Sequence, residues 1–186
     1  MRQLDREEEQ RLVARAKEGD MTAFECLVRA FQQPIYYLCL RMAGAPQTAD
    51  DLAQETFIKA YFALSQFKDG LDFYAWTRRI AVNTALNHLR ATKREEPLGD
   101  RDAGDTNSMP QDELLRHEAE DRYRKAFEAL PPDQKAVFVL RTYEDRSYRE
   151  IAETLGLSEG TVMSRLSRAR RKLKEALTGH LDGRRA

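Results

Sequence analysis

The chain has 186 residues, of which 41% are hydrophobic and 33% charged, enough apolar material for one sizeable domain or two small ones. No apolar run approaches the roughly 18 residues of a membrane span, and the N-terminal MRQLDREEEQ has no apolar signal-peptide core, so a cytoplasmic protein without a membrane span is expected. The formal net charge of zero hides a segregation: residues 1–94 carry +2, residues 95–134 carry −7 and residues 135–186 carry +5, so neutrality does not exclude a nucleic-acid partner.

Nothing alternates like a strand, and the expected fold is all-α. Two small helical domains, 1–94 and 112–180, are joined by a flexible acidic linker at 95–111, with a tail at 181–186. In the N-terminal block Leu12, Val13, Ala16, Phe24, Leu27, Val28, Phe31, Ile35, Leu38 and Met42 recur at helical intervals, with Gly19, Asp20 and Pro34 as breaks or helix starts. Cys26 and Cys39 lie in the same pattern without Cys-x-x-Cys spacing, and read as buried small apolar residues with no redox or metal role.

After Gly44-Ala45-Pro46, Thr48 is placed to cap a helix whose buried face is Ala53, Phe57, Ala60, Tyr61 and Leu64. Its opposite side carries Asp50, Asp51, Gln54 and Glu55. Acids in a first helical turn are stabilised by the dipole alone, at about 0.3–1 kcal/mol each. The same four residues also suit a docking surface for a basic partner.

Residues 66–94 interleave aromatics with bases. Phe67, Phe73, Tyr74 and Trp76 surround a Lys68-Asp69-Gly70 turn, while Arg79, Asn83, Arg90 and Arg94 fall within about 60° on a helical wheel, with Lys93 beside them. Aromatic platforms next to cations hold unpaired bases at about 1–3 kcal/mol per base. The other reading places Phe73 and Trp76 in the core.

The linker, EEPLGDRDAGDTNSMPQ, holds two prolines, two glycines, five acids and one base, without hydrophobic periodicity. Such a segment averages about 20–25 Å end to end and reaches about 55–60 Å extended. A helical pattern resumes with Leu114, Leu115, Ala119, Tyr123, Ala126, Phe127 and Leu130 before Pro131-Pro132, and a further helix is expected over 133–142.

The C-terminal stretch 147–174 reads SYREIAETLGLSEGTVMSRLSRARRKLK. Ser147 and Glu150 fit a capping box; Ile151, Ala152 and Leu155 share one face; Gly156 suits a turn with positive φ; and Ser158 caps a second helix. There Val162, Leu166, Ala169, Leu173 and Leu177 form a buried stripe, leaving Thr161, Ser164, Arg165, Arg168, Arg171 and Lys172 exposed. A helix-turn-helix sets the start of its second helix against base edges, so Glu159, Thr161, Ser164, Arg165 and Arg168 are candidates for readout, and Arg170, Arg171, Lys172 and Lys174 for phosphates. A basic amphipathic helix also suits binding to another protein.

No P-loop, metal-ligand spacing or nucleophile paired with a base is present, and His88, His117 and His180 are scattered. No enzyme, cofactor, metal or catalytic residue is therefore expected. Two other classes stay open on the residues alone: a stand-alone helix-turn-helix regulator, and a nuclease using Asp50, Asp51 and Glu55 as metal ligands.

The ordered set DDLAQETFIKAYFAL, F-x-x-W-T-R-R-I-A-V-N-T-A-L-N-H-L-R, an acidic linker, LPPDQKAVFVLR and E-G-T-V-x-S-R-L-x-R-A-R resembles the extracytoplasmic-function (ECF) sigma factors of bacterial RNA polymerase, over about residues 9–177. The resemblance implies a transcription initiation factor that binds core RNA polymerase and directs it to promoter DNA. Its N-terminal domain would read and open the −10 element through Lys68, Arg79, Asn83, Arg90, Lys93 and Arg94. Asn83 matches the asparagine of the flipped-base pocket, and residues 68–72 the loop beside it. Asp50, Asp51, Gln54 and Glu55 match the segment that docks on the polymerase. The C-terminal domain would read the −35 element through Glu159, Thr161, Ser164, Arg165 and Arg168, with Arg149, Arg171 and Lys172 at the backbone. An anti-sigma factor is implied as a further partner. Two positions depart from the pattern: Met163, where a base is common, and Thr77, where leucine commonly follows Trp76.

Overall fold

The computed structural model describes residues 4–95 and 111–178, with the side chains of 94–95 and 111–116 set aside; over these residues the fold is helical throughout. The linker at 95–111, but for its end residues, and the tail at 181–186 lie outside the described residues. The chain divides into two compact units, Met1–Leu89 and Arg90–Ala186.

The first unit is built from α1 (Arg6–Lys17), α2 (Met21–Ala43), α3 (Pro46–Phe62), a 3₁₀ turn at Leu64–Gln66 and most of α4 (Phe73–Glu95). Local chemistry sets the first boundary. Asp5 caps α1 by accepting from the Glu8 amide at 2.7 Å, and Glu7, Glu8 and Glu9 at its start face Arg15 and Lys17 at its end, as the helix dipole favours. Gly19 turns the chain with φ +93°, and Asp20 caps α2 through the Ala23 amide at 3.1 Å. That bond, and then Arg15, hold the Asp20 carboxyl below the usual range.

Pro34 does not break the chain as its identity suggests, for α2 runs through it. An interior proline costs about 3 kcal/mol, but Ile35, Leu38, Cys39 and Met42 on the same helix are fully buried, and burying each such side chain returns about 1.5–3 kcal/mol. Packing therefore overrides the local penalty. The helix ends at Gly44, φ +80°, whose amide bonds the Leu40 carbonyl. Next, α3 starts at Pro46 after Ala45, so Thr48 sits inside the helix and is not its cap.

The core of this unit gathers Val13, Ala16, Phe24, Leu27, Leu64, Phe67 and Phe73, with Leu12, Phe31 and Trp76 packed against it. Phe67 meets Trp76 edge-on at 5.2 Å and Phe73 at 5.8 Å. The aromatic residues around the 68–70 turn are thus largely core, which answers the platform reading for Phe67 and Phe73. Two expected core positions lie elsewhere: Tyr61 is exposed, its ring edge against Phe24, and Cys26 is exposed because it faces away from the α1 and α3 contacts of α2. Cys39 is buried, and desolvation pushes its thiol up to about 12, so it is inert.

The second unit holds α5 (Gln111–Glu128), α6 (Pro132–Thr142), α7 (Tyr148–Leu155) and α8 (Glu159–Thr178), with α8 packed against the other three. Val137, Phe138, Val139, Leu140, Ile151, Val162, Leu166 and Leu173 fill its centre, and Phe127 meets Phe138 edge-on at 5.8 Å. Lys135 is buried here too, its ammonium donating to the Glu128 carbonyl at 3.3 Å and lying 5.3 Å above the Phe127 ring; burial pulls its pKa down. Leu177, expected in the α8 stripe, is exposed in the last turn, beyond the buried stripe that ends at Leu173.

Candidate polymerase-docking and nucleic-acid surfaces

On α3, Asp50, Asp51, Gln54 and Glu55 are all exposed. The helix begins at Pro46, so Asp50 is its fifth residue and no acid stands in the first turn. The dipole attraction fades beyond that turn and does not account for the cluster. The stripe continues past the acids into large apolar side chains. Ile58 is 57% exposed and Phe62 78% exposed, and Asp51, Glu55, Ile58 and Phe62 follow one another at steps of four, three and four residues along one helix face. Their spacing from the acids was a signal already present in the sequence. Glu55 pairs with Lys59 at 2.6 Å, and Lys59 also donates to Thr84 at 3.2 Å, tying this face to α4.

On the neighbouring surface, Lys68, Arg79 and Asn83 are exposed within the first unit, and Arg79 and Asn83 have no hydrogen-bond or ionic partner among the described residues. Arg90 and Lys93 are exposed but fall beyond Leu89, where the chain divides, and the Arg94 side chain lies outside the described residues. Six residues before Asn83, and one after Trp76, the chain changes character: Thr77 and Arg78 are buried, Arg78 lying 5.5 Å from the Tyr74 ring. Thr77 therefore belongs to packing. The loop at 68–72 turns at Gly70, φ +79°, and ends on Asp72, which caps α4 by accepting from the Ala75 amide at 2.6 Å. Leu71, a loop residue not singled out from sequence, is exposed.

The helix-turn-helix forms as its local chemistry demands. Ser147 and Glu150 close the capping box, the Ser147 amide donating to Glu150 at 2.9 Å and the Glu150 amide to the Ser147 hydroxyl at 3.2 Å. The Ser147 backbone and hydroxyl, and then Arg146, hold the Glu150 carboxyl down to about 2. Gly156 turns with φ +65°, and Ser158 accepts from the Thr161 amide at 3.3 Å to cap α8.

The expected readers do not all share one environment. Glu159, Ser164, Arg168, Arg171 and Lys172 are exposed on α8, and Met163 is 55% exposed among them. Arg168 has no partner among the described residues. Thr161 is half-buried, with its hydroxyl 2.9 Å from that of Ser158. Arg165, expected on the open face, keeps only 26% of its side chain exposed and lies 3.7 Å from Asp133 at the start of α6, because the packing of α8 on α6 turns this position sideways. The Ser164 hydroxyl donates back to the Thr161 carbonyl at 3.0 Å, Arg149 pairs with Glu153 at 3.1 Å, and Arg171 lies 3.8 Å from Glu175. Among the described residues no three His, Cys, Asp or Glu side chains converge as a metal site, and no helix is long and apolar enough to cross a membrane.

A helical unit with an exposed acidic-apolar stripe and a basic surface, followed by a unit with a complete helix-turn-helix, defines a DNA-directed protein with a protein-docking face. Comparison with known proteins narrows the class. The family model described as Sigma-70 region 2 matches residues 27–95, and that described as Sigma-70, region 4 matches residues 120–173. The chain is 40% identical to the RNA polymerase sigma-H factor of Pseudomonas aeruginosa, over 94% of its own length and 96% of that protein. It is 36% identical to the ECF RNA polymerase sigma-E factor of Haemophilus influenzae, over 91% and 95%. The solved structure of CnrH in complex with the cytosolic domain of CnrY aligns over 92% of this chain and 98% of that one, with a TM-score of 0.65 and 27% identity. The chain belongs to the ECF sigma factors of RNA polymerase.

Proposed function

We propose a division of labour among the three surfaces of this sigma factor. The α3 stripe of Asp50, Asp51, Gln54, Glu55, Ile58 and Phe62 docks the core polymerase. The loop at 68–72, with Lys68, Arg79 and Asn83, captures an unpaired base of the −10 element, and Arg90, Lys93 and Arg94 follow the strand beyond. The exposed face of α8 reads the −35 element through Arg168, Ser164 and Met163, while Arg171, Lys172 and Arg149 meet phosphates. In this reading the domains run over 1–94 and 112–180, and the acidic segment 95–111 spans between their sites. The protein works on DNA in the cytoplasm, performs no reaction of its own, and is held inactive by an anti-sigma factor that covers the α3 stripe.

The observation that carries this reading is the α3 stripe. Its acids lie past the reach of the helix dipole, and two large apolar side chains extend them into solvent. A stand-alone regulator has no use for such a face. Reconstitution with core polymerase on a promoter library tests the whole: transcripts should appear at selected promoters only when the chain is added. Asp51→Lys with Glu55→Lys, and separately Ile58→Ser with Phe62→Ser, should each weaken core binding by about 100-fold or more, two contacts at about 1.4 kcal/mol each. Stability should stay within about 0.5 kcal/mol, as for other exposed positions. Undiminished core binding by both variants refutes the assignment.

A further inference from the structure

The loop at 68–72 has little of its own to hold it. Lys68, Asp69, Leu71 and Asp72 are exposed, Gly70 takes the left-handed conformation, and one backbone bond, Leu71 amide to Lys68 carbonyl at 3.3 Å, closes the turn. Instead it is tied to α1, more than fifty residues earlier. Arg6 donates to the Gly70 carbonyl at 3.1 Å, the Phe73 amide donates to the Glu9 carboxylate at 2.9 Å, and Lys17 donates to Asp69 at 2.5 Å.

Each tie has a specific role. The Phe73 amide is a first-turn donor of α4 that no intrahelical carbonyl reaches, so Glu9 acts as a cap supplied from another helix, beside Asp72, which caps Ala75. Glu9 is partly buried, and desolvation raises its carboxyl against the lowering effect of the Phe73 bond. Lys17 lies beside Phe67 as well, 5.7 Å from the ring, so its stem is anchored before its head reaches Asp69. Arg6 and Lys17 stand about 16 Å apart along α1. Between helix and loop a cleft of about 140 Å³, lined by Glu9, Val13, Phe67, Asp69 and Leu71, separates the two. The loop is thus suspended by side-chain tips at both ends and the middle, and is not packed flush, so the anchors decide its shape.

We infer that α1 is a strap that sets the loop at 68–72 for strand opening, with Arg6, Glu9 and Lys17 as positioning residues that touch no DNA themselves. This rests on the reading of the loop as part of the −10 surface. Two measurements on the full chain separate the two ideas. Amide exchange of the free protein reads the strap alone. Opening of a library-selected promoter by the reconstituted holoenzyme, followed with a fluorescent adenine analogue in the non-template strand, reads its use.

Glu9→Ala should accelerate exchange at Phe73 by about 10-fold and slow opening by a similar factor, the loss expected of one hydrogen bond to a charged group. Affinity for core polymerase and for closed duplex should stay within about two-fold, a few tenths of a kcal/mol. Glu9→Gln keeps an acceptor for the Phe73 amide and should restore both rates. Lys17→Ala, which leaves the cap in place, should accelerate exchange at Leu71, whose amide closes the turn, and not at Phe73. Unchanged exchange in Glu9→Ala and Lys17→Ala overturns the strap. Faster exchange with unchanged opening overturns its role in opening. A wild-type holoenzyme that opens no promoter overturns the proposed function, while the exchange result still decides whether the strap exists.

Discussion

Thr77 offers a stability test that also probes a departure from the family pattern. Its side chain is fully buried in α4, and its hydroxyl has no partner among the described residues. A buried hydroxyl without a partner costs about 1–3 kcal/mol. Valine has nearly the same shape, so Thr77→Val removes the orphan without leaving a cavity or crowding the core. The expected gain is about 1–2 kcal/mol, the lower part of that cost. For a unit of this size that corresponds to a rise of about 4–12 °C in Tm.

Two other buried threonines supply controls. Thr56 donates to the Leu52 carbonyl at 2.7 Å, and Thr84 accepts from Lys59 at 3.2 Å. The same change at either position removes a satisfied hydroxyl and should be neutral or destabilising, by up to about 1.5 kcal/mol. The assay is urea unfolding followed by fluorescence of Trp76, the single tryptophan of the chain, which packs against Phe67 and Phe73 in the first unit and reports on it alone. A destabilised Thr77→Val, or equal effects at all three threonines, would refute the reasoning. An unaltered promoter preference in Thr77→Val would place this departure in packing.

Arg168→Ala should relax discrimination at one position of the −35 element by about 1–3 kcal/mol, whereas Arg171→Ala should weaken binding to all sequences and reduce the salt slope by about one; a binding-selection experiment at two salt concentrations distinguishes them. Asn83→Ala should spare closed-complex affinity and slow opening, as read by permanganate footprinting over time; equal losses in both would contradict the assignment. Acid should unlock the helix-turn-helix through Glu150. Its folded pKa lies well below the ordinary 4.5, so the capping box contributes fully above about 4.5 and loses its contribution as pH falls towards about 2. Ser147→Ala should flatten that part of an acid titration monitored by helicity, and an unchanged curve would count against the cap as its source.

Much of this chain is decided within a few residues of sequence. The capping box at Ser147 and Glu150, the turn at Gly156, the Ser158 cap, and the boundaries at Gly19, Gly44 and Pro132 all follow from hydrogen bonds and φ preferences that act over four residues or fewer. The family motifs are legible for the same reason, being local strings in a set order. Tertiary structure decided the positions whose fate depends on which helix lies opposite. Packing carried α2 through Pro34, left Cys26 and Tyr61 exposed, and turned Arg165 towards Asp133. By contrast the start of α3 at Pro46 is local, a proline at the first helical position, and it moved the acidic cluster out of the first turn and removed its simplest explanation.

The ties between α1 and the loop lie beyond any local signal. Arg6 and Glu9 reach partners 64 residues away, and Lys17 one 52 residues away, and no periodicity in the sequence brings those segments together. A surface charge takes its place from neighbours along its own helix, but a tie between segments exists only once the core has brought them into reach. The sequence by itself therefore determined that this is a helical DNA-directed protein with a complete helix-turn-helix. Only the packed structure decided which of its charged residues face outward and which hold the molecule together.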